Sequence, residues 1–134
     1  MAYLPPPLFV RSVFNKLAMR FGISGAATLA VAGRRTGTTQ RIPVVPVEHD
    51  RARYLVSMRG EAEWVRNLRA AGGRAELLRG GAAEAFHATE IPAGERPPVI
   101  AAYRAQAGSK MVEGYFTKLP DPADHPTFRL DRDA

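Results

Sequence analysis

The stretch that decides the fold is residues 26–47, which read AATLAVA-GRRTGTTQR-IPVVPV. Two short apolar runs on either side of a glycine-containing polar segment are typical of two strands and the connection between them. The prolines at positions 43 and 46 remove backbone donors from the second run. We therefore expect that second strand to be bulged or to lie at an edge of a sheet.

The connection between the two runs, residues 33–41, carries three arginines, three threonines and two glycines. Guanidinium forks bind phosphate or carboxylate through paired hydrogen bonds. Glycines allow backbone N–H groups to come close to a ligand. The segment therefore predicts an anion-binding loop. An exposed basic hairpin connection is the alternative, because the lysine and the spacing of a P-loop are missing.

Working outward from this hairpin, apolar periodicity and turn residues place the remaining elements. In chain order they are strand 53–58, helix 61–71 ended by two glycines, strands 74–78 and 83–91 around a glycine-rich turn, helix 97–107, a short helical turn at 111–118, and strand 127–130. About six short strands and three or four helices predict an α+β domain with flanking helices, built on a small antiparallel barrel.

Composition narrows the classes of partner. A length of 134 residues suits one core, and a net charge of +6 favours an anionic ligand, lipid or nucleic acid, unless it reflects genome composition alone. The absence of cysteine excludes disulfides and thiol catalysis, and the three histidines lie too far apart in sequence to predict a metal site. Nucleic acid is not an expected partner, because aromatic residues make up only 8% and the basic loop has none.

The N-terminal part of the chain predicts a separate helix. Residues 7–21 place apolar side chains on one stripe and interrupt them with basic ones. Such a helix packs on its own core, on a partner subunit or on an anionic membrane surface. Apolar runs stay shorter than the roughly 18 residues of a membrane span, and no signal-peptide pattern is present. We expect an extension over 1–24, a barrel domain over 25–134, and a cytoplasmic location, with the inner membrane face as the alternative.

A second cluster, SMRG at 57–60 followed by WVRNL at 64–68, predicts a strand end, a glycine turn and a helix start. Free N–H groups at such a helix start bind anions or carbonyls, and the indole of Trp64 can pack beside a flat heterocycle or serve as a core anchor. The serines lack a nucleophile motif, and Glu61 and Glu63 are expected to favour the start of the helix. Any difficult chemistry is therefore expected from a bound cofactor.

These motifs, together with HPTFRL at 125–130, resemble the deazaflavin-dependent nitroreductase family over roughly residues 25–130. The resemblance implies a split β-barrel of the kind shared with flavin mononucleotide (FMN) enzymes. It also implies coenzyme F420, which carries a phosphate and an acidic oligoglutamate tail, as the cofactor, with FMN as the alternative. A homodimer is common among such barrels.

The resemblance also implies contacts for individual residues. The phosphate and early tail are assigned to Arg34, Arg35, Thr36 and the N–H of Gly37, with Arg41 as a further basic residue. The deazaflavin edge is assigned to the backbone of Met58, Arg59 and Gly60, and the ring and its linker to Trp64 and Asn67. The candidates for the substrate side are Tyr103, Tyr115 and Phe116. Tyr115 or solvent is the expected proton donor.

The predicted function is hydride transfer from reduced F420 to an electron-poor small molecule, such as a quinone, an enone or a nitro compound. The physical basis is that arginines neutralise the anionic arm while the acceptor stacks on the ring at close range. The alternative is a protein that binds a flavin, haem or lipid on the same barrel without turnover.

Overall fold

The computed structural model describes residues 26–132. The strands in this range are β1 (Ala27–Ala32), β2 (Thr39–Val44), β3 (Val47–His49), β4 (Ala52–Val56), β5 (Arg74–Arg79), β6 (Ala82–Glu90) and β7 (Thr127–Arg132). The helices are α1 (Glu63–Ala70), α2 (Pro97–Ala107) and α3 (Lys110–Lys118). The predicted order of strands and helices is confirmed from β1 to β7.

The strands form one sheet in the order β2-β1-β5-β6-β7-β4-β3, with every neighbouring pair antiparallel. Side chains from β2, near one end of this sheet, and from β4, near the other, meet in a single hydrophobic cluster with α1. A flat sheet cannot bring its two ends together, so the sheet curls into a half-barrel around α1. The predicted α+β split β-barrel is confirmed. β2 lies at an edge, as Pro43 favours, and Pro46 lies between β2 and β3.

Within residues 26–132, the core consists of two clusters. The first lies inside the curl, where α1 contributes Trp64, Val65 and Leu68. The second lies where α2 and α3 cover β3 and β4, and it includes Val99, Tyr103 and other apolar side chains. The first cluster therefore packs α1 against β1 and β2, the two strands that the basic loop connects.

The end of α1 depends on two glycines, as predicted. Gly72 and Gly73 have φ angles of 65° and 84°, in the left-handed region that L side chains rarely adopt. The N–H of Gly73 donates to the carbonyl of Leu68 at 2.9 Å, and the carbonyl of Gly73 accepts from Ala88 at 2.8 Å. This turn therefore joins the end of α1 directly to β6.

Most predicted boundaries shift by one or two residues, and the strand predicted at 42–47 is divided into β2 and β3. β2 begins at Thr39, so three of the nine residues assigned to the basic loop belong to a strand, and the sheet has seven strands instead of about six. All three are polar and exposed, so no apolar pattern in the sequence marks them as a strand. The short helical turn predicted at 111–118 is the nine-residue helix α3.

The segment before β7 is held by two buried polar side chains, His125 and Arg96. The ring of His125 stacks on Phe116 with centroids 4.2 Å apart, and its nitrogens lie 2.8 Å from the carbonyl of Ser57 and 2.5 Å from that of Leu119. The guanidinium of Arg96 donates to the carbonyls of Ile91 and His125 at 3.0 and 3.3 Å. These contacts place the start of β7 beside the loop that leads from β4 to α1.

The predicted N-terminal helix, its membrane contact and the boundary at residue 25 lie outside the described residues. Among residues 26–132, no helix is long and apolar enough to cross a membrane.

Candidate functional site

A cavity of about 320 Å³ opens between the β1–β2 loop and the first turns of α1. Its lining residues are Val31, Gly33, Arg34, Arg35, Thr36, Gln40, Ile42, Glu63, Trp64 and Asn67. Guanidinium and hydroxyl groups lie on the loop side, whereas aliphatic side chains and an indole lie on the barrel side. The volume is at the low end of small-molecule sites, which span about 300–1,000 Å³. The donor set fits the anionic arm expected of F420, and the apolar wall fits a flat ring.

The register of β1 and β2 decides which side chains reach this cavity. Val31 pairs with Gln40, and Ala30 pairs with Arg41. Paired residues share one face of a sheet and successive residues alternate between faces, so Gln40 faces the cavity and Arg41 faces away from it. The prediction that Arg41 joins the other arginines at one anion site does not agree with this register.

The loop itself is a tight turn over residues 33–38. The N–H of Gly33 donates to the carbonyl of Thr38 at 2.9 Å, and the N–H of Gly37 donates to the carbonyl of Gly33 at 2.8 Å. Gly37 has a φ of 77°, which explains the glycine. Because its N–H already closes the turn, the contact predicted between Gly37 and a phosphate is not available in this conformation.

Arg34 is tied to α1 by three hydrogen bonds. Its backbone N–H donates to Oδ1 of Asn67 at 3.1 Å, and its Nη1 donates to the same oxygen at 2.8 Å and to Oε2 of Glu63 at 2.6 Å. The bond between Arg34 and Glu63 raises the pKa of the guanidinium and lowers the pKa of the carboxyl. Both of these side-chain bonds are donated by Nη1. Within residues 26–132, Nε and Nη2 of Arg34 make no further bond.

Arg35 and Thr36 complete the polar side of the cavity. Both are exposed, and within the described part of the chain the guanidinium of Arg35 forms no ion pair. The hydroxyl of Thr36 accepts from the N–H of Thr38 at 3.3 Å, which keeps its proton available to a ligand. The loop thus presents one anchored and one unpaired guanidinium beside a hydroxyl donor.

Trp64 is both a core residue and a wall of the cavity. It is 8% exposed and packs against Phe128 with ring centroids 5.9 Å apart. Asn67, three residues further along α1, is also buried and accepts both bonds from Arg34. The two residues predicted beside the ring and its linker therefore lie together at this cavity.

The turn at Met58, Arg59 and Gly60 does not line this cavity. It is closed by the hydroxyl of Ser57, which donates to the carbonyl of Gly60 at 2.6 Å. Met58 packs against the second hydrophobic cluster. The contact predicted between this turn and a deazaflavin edge therefore requires a ligand that extends beyond the cavity described above.

Tyr103 on α2 and Tyr115 on α3 are both buried, and neither lines the cavity. Tyr103 belongs to the second cluster and packs against Phe116 with centroids 6.2 Å apart. Helical periodicity places both side chains on the buried faces of their helices, whereas a residue that contacts substrate has to be accessible. The structure does not bring the two predicted substrate-side tyrosines together with the arginines.

Burial also makes Tyr103 a pH-sensitive element of the fold. Desolvation raises its pKa from 10.0 to about 12, against a smaller opposing effect of the charge on Arg59. The unfolded chain loses this proton before the folded one does, so the stability held below pH 10.0 is lost as the pH rises toward about 12. We expect the free energy of unfolding in urea to fall across this window, and to fall less steeply in Tyr103→Phe, which keeps the ring. Parallel pH profiles for the two proteins would contradict the effect.

Several cavity residues were not predicted from the sequence. Gln40 and Ile42 follow from alternation along β2 once the core side of that strand is known. Val31 and Gly33 follow from the same alternation along β1 and beyond its end. Glu63 was interpreted only as a helix-start residue, and its ion pair with Arg34 joins residues far apart in sequence. No local pattern indicates such a pair.

The fold is that of a split β-barrel protein, and guanidinium and hydroxyl groups line one side of its cavity. A family model described as F420H(2)-dependent quinone reductase matches residues 9–117, which is most of the chain. The chain belongs to this family. It is an oxidoreductase, a reductase that depends on F420, and its cofactor is coenzyme F420. No curated protein matches the sequence.

Solved structures share the fold at low identity. The F420-H2 dependent reductase FDR-A is 18% identical with a TM-score of 0.58, over 80% of this chain and 94% of its own. A domain-swapped dimer is 15% identical with a TM-score of 0.58, over 90% of this chain and 98% of its own. A heme binding protein from Mycobacterium smegmatis is 17% identical with a TM-score of 0.58, over 97% of this chain but only 53% of its own.

Proposed function

We propose that this protein reduces a quinone with reduced F420, and that the cavity between the β1–β2 loop and α1 holds the anionic arm of the cofactor. Enones and nitro compounds are the alternative acceptors. The observation that carries the proposal is the cavity itself, where Arg34, Arg35 and Thr36 face an apolar wall formed by Trp64 and Ile42. The family description supports a quinone as the acceptor.

The residues of the cavity have different roles in binding the cofactor. Arg34 and Arg35 neutralise phosphate and carboxylate charge, and Thr36 donates its hydroxyl proton to an anionic oxygen. Asn67 holds Arg34 in place through two hydrogen bonds, so little motion is needed on binding. Trp64, Val31 and Ile42 exclude water from the flat part of the ligand. When bound, reduced F420 supplies the hydride, and the quinone takes up that hydride and one proton to become a hydroquinone.

We propose solvent as the source of that proton. Tyr103 and Tyr115 are buried away from the cavity, so neither phenol is positioned to donate there. Arg35 and Thr36 at the mouth of the cavity are exposed, so water can reach a ligand bound there. A proton on water needs no dedicated side chain.

The single tryptophan gives a direct binding assay. Trp64 is the only tryptophan in the chain and lies on the cavity wall, so quenching of its fluorescence reports a ligand there. We expect F420 to quench it at lower concentrations than FMN, and F420H2 to be oxidised when a quinone is added. Tight binding without turnover on quinone, enone and nitro acceptors would contradict the reductase proposal at this site. Preference for FMN or haem would contradict the assignment of the cavity to F420.

The same titration tests the alternative of a haem-binding barrel. A haem protein of this fold is among the structural neighbours. Haem iron takes an axial ligand such as histidine, methionine, cysteine or tyrosine. The described lining of the cavity includes none of these residues. Haem is therefore expected to bind less tightly than F420.

Two further proposals follow from the sequence. A homodimer is supported by the neighbour described as a domain-swapped dimer. Contact with an anionic membrane rests on the basic amphipathic pattern of residues 7–21.

A further inference from the structure

We propose that Glu63 is an internal counter-ion for Arg34, and that the anionic arm of the cofactor displaces it. Binding is then an exchange of one anion for another on a guanidinium that stays in place. The inference rests on the proposed function, because it takes this cavity as the site of the cofactor's phosphate or carboxylates.

The geometry makes Arg34 the fixed partner of this ion pair and Glu63 the movable one. The side chain of Arg34 is 20% exposed and is held by Asn67, whereas the side chain of Glu63 is 67% exposed. The carboxylate touches the guanidinium from the solvent side, with Oε2 2.6 Å from Nη1. It can therefore rotate away without unpacking any part of the core.

Electrostatics supply the reason for it to move. The pKa of Glu63 is lowered, first by the bond from Arg34 and then by the charges of Arg34, Arg35 and Arg66, so the carboxylate is ionised at neutral pH. A phosphate in the same cavity would lie beside this negative charge, and like charges at close range repel. Because the carboxylate of Glu63 is exposed, it is free to move away from Arg34 when the phosphate binds.

The displaced carboxylate has a second partner on its own helix. Arg66 lies three residues after Glu63 on α1, is exposed, and already contributes to the low pKa of the carboxyl. Side chains three residues apart are neighbours on a helix surface. Glu63 can thus exchange Arg34 for Arg66, which lowers the cost of releasing Arg34 to the ligand.

A charge-removing substitution separates this role from a purely structural one. Glu63→Gln keeps the shape but abolishes the competing charge, so we expect F420 to bind about three- to tenfold more tightly at low salt, with the gain shrinking as salt is added. A structural ion pair predicts unchanged or weaker binding instead. Dissociation constants come from Trp64 fluorescence, which needs no turnover.

The chain offers a matched control. Glu113 on α3 pairs with Arg104 through bonds of 2.8 and 2.6 Å, and its side chain is 47% exposed, but it does not line the cavity. Glu113→Gln changes the net charge by the same amount, so we expect less than about a twofold change in binding. Glu63→Ala is the second variant, and it should tighten binding as Glu63→Gln does. In an Arg34→Ala background, the gain from Glu63→Gln should be smaller, because only the repulsion between Glu63 and the ligand is left to remove.

The outcomes are distinct. If the wild-type protein does not bind F420 with quenching of Trp64, the proposed function fails. If the wild type binds but neither Glu63 variant binds more tightly, the counter-ion is overturned while the proposed function stands. Equal gains in Glu63→Gln and Glu113→Gln would also overturn it, because they would show an effect of net charge alone.

Discussion

Replacing Arg34 or Arg35 by alanine is expected to weaken F420 binding by about ten- to hundredfold each, because each loses charged hydrogen bonds to the ligand. Arg34 is anchored by Asn67 and Arg35 lies at the cavity mouth, so the two variants test the anchored and the unpaired guanidinium separately. The wild-type affinity should fall more steeply with salt than that of either variant, since each variant has one fewer charge that salt can screen. Titration of Trp64 fluorescence at several salt concentrations measures both effects.

The control for this experiment is Arg41→Ala. Arg41 lies three residues beyond the tight turn and is exposed, but it faces away from the cavity in the register of β1 and β2. It carries the same charge, so its removal should change binding by less than about threefold. Comparable losses in all three variants would mean that the general positive charge of the protein attracts the ligand, and the assignment of Arg34 and Arg35 to the site would be wrong.

Gly73→Ala is expected to destabilise the fold by about 3 kcal/mol, since an alanine there combines an unfavourable backbone conformation with a steric clash. Gly73 has a φ of 84°, and a Cβ at this position would lie 2.2 Å from the carbonyl oxygen of Ala88. That oxygen belongs to β6, so the clash has to be relieved by moving either a central strand or the end of α1. Urea unfolding followed by far-ultraviolet circular dichroism measures the loss.

Gly72→Ala separates the two causes. Gly72 also has a positive φ, of 65°, but a Cβ there meets nothing within 4 Å. We expect a loss of about 1–2 kcal/mol from the backbone conformation alone. If both variants lost the same stability, the close approach of α1 to β6 would have no energetic weight, and only the left-handed backbone would explain the two glycines.

Much of the fold is readable from local patterns. The helix predicted at 97–107 has the observed bounds, because Pro97 opens it and the apolar spacing continues to its end. The hairpin of β5 and β6 follows from two adjacent glycines between alternating runs, and both adopt positive φ. The start of β2 is not readable in this way. Its first three residues are exposed and polar, and only their pairing with β1 makes them a strand.

The candidate site was predictable where its residues are close in sequence. The basic loop was predicted from its own residues as an anion site, and the family resemblance assigned Trp64 and Asn67 to the ring and its linker. The structure brings Arg34, Arg35, Thr36, Trp64 and Asn67 together at one cavity. The ion pair of Arg34 with Glu63 was not predictable, because it depends on how α1 packs inside the curled sheet. Tyr103 lies in the second hydrophobic cluster, and its sequence context could not separate a substrate pocket from a core, since an aromatic side chain suits both.

The half-barrel leaves an open rim at β2, and this has a consequence for the behaviour of concentrated protein. Within residues 26–132, β2 pairs only with β1, so its outer side offers backbone groups that could template filaments or other strand-on-strand aggregates. Pro43 has no N–H with which to pair another strand, and the exposed charge of Arg41 repels the same edge of a second molecule. We therefore expect Arg41, which faces away from the cavity, to help keep separate molecules apart.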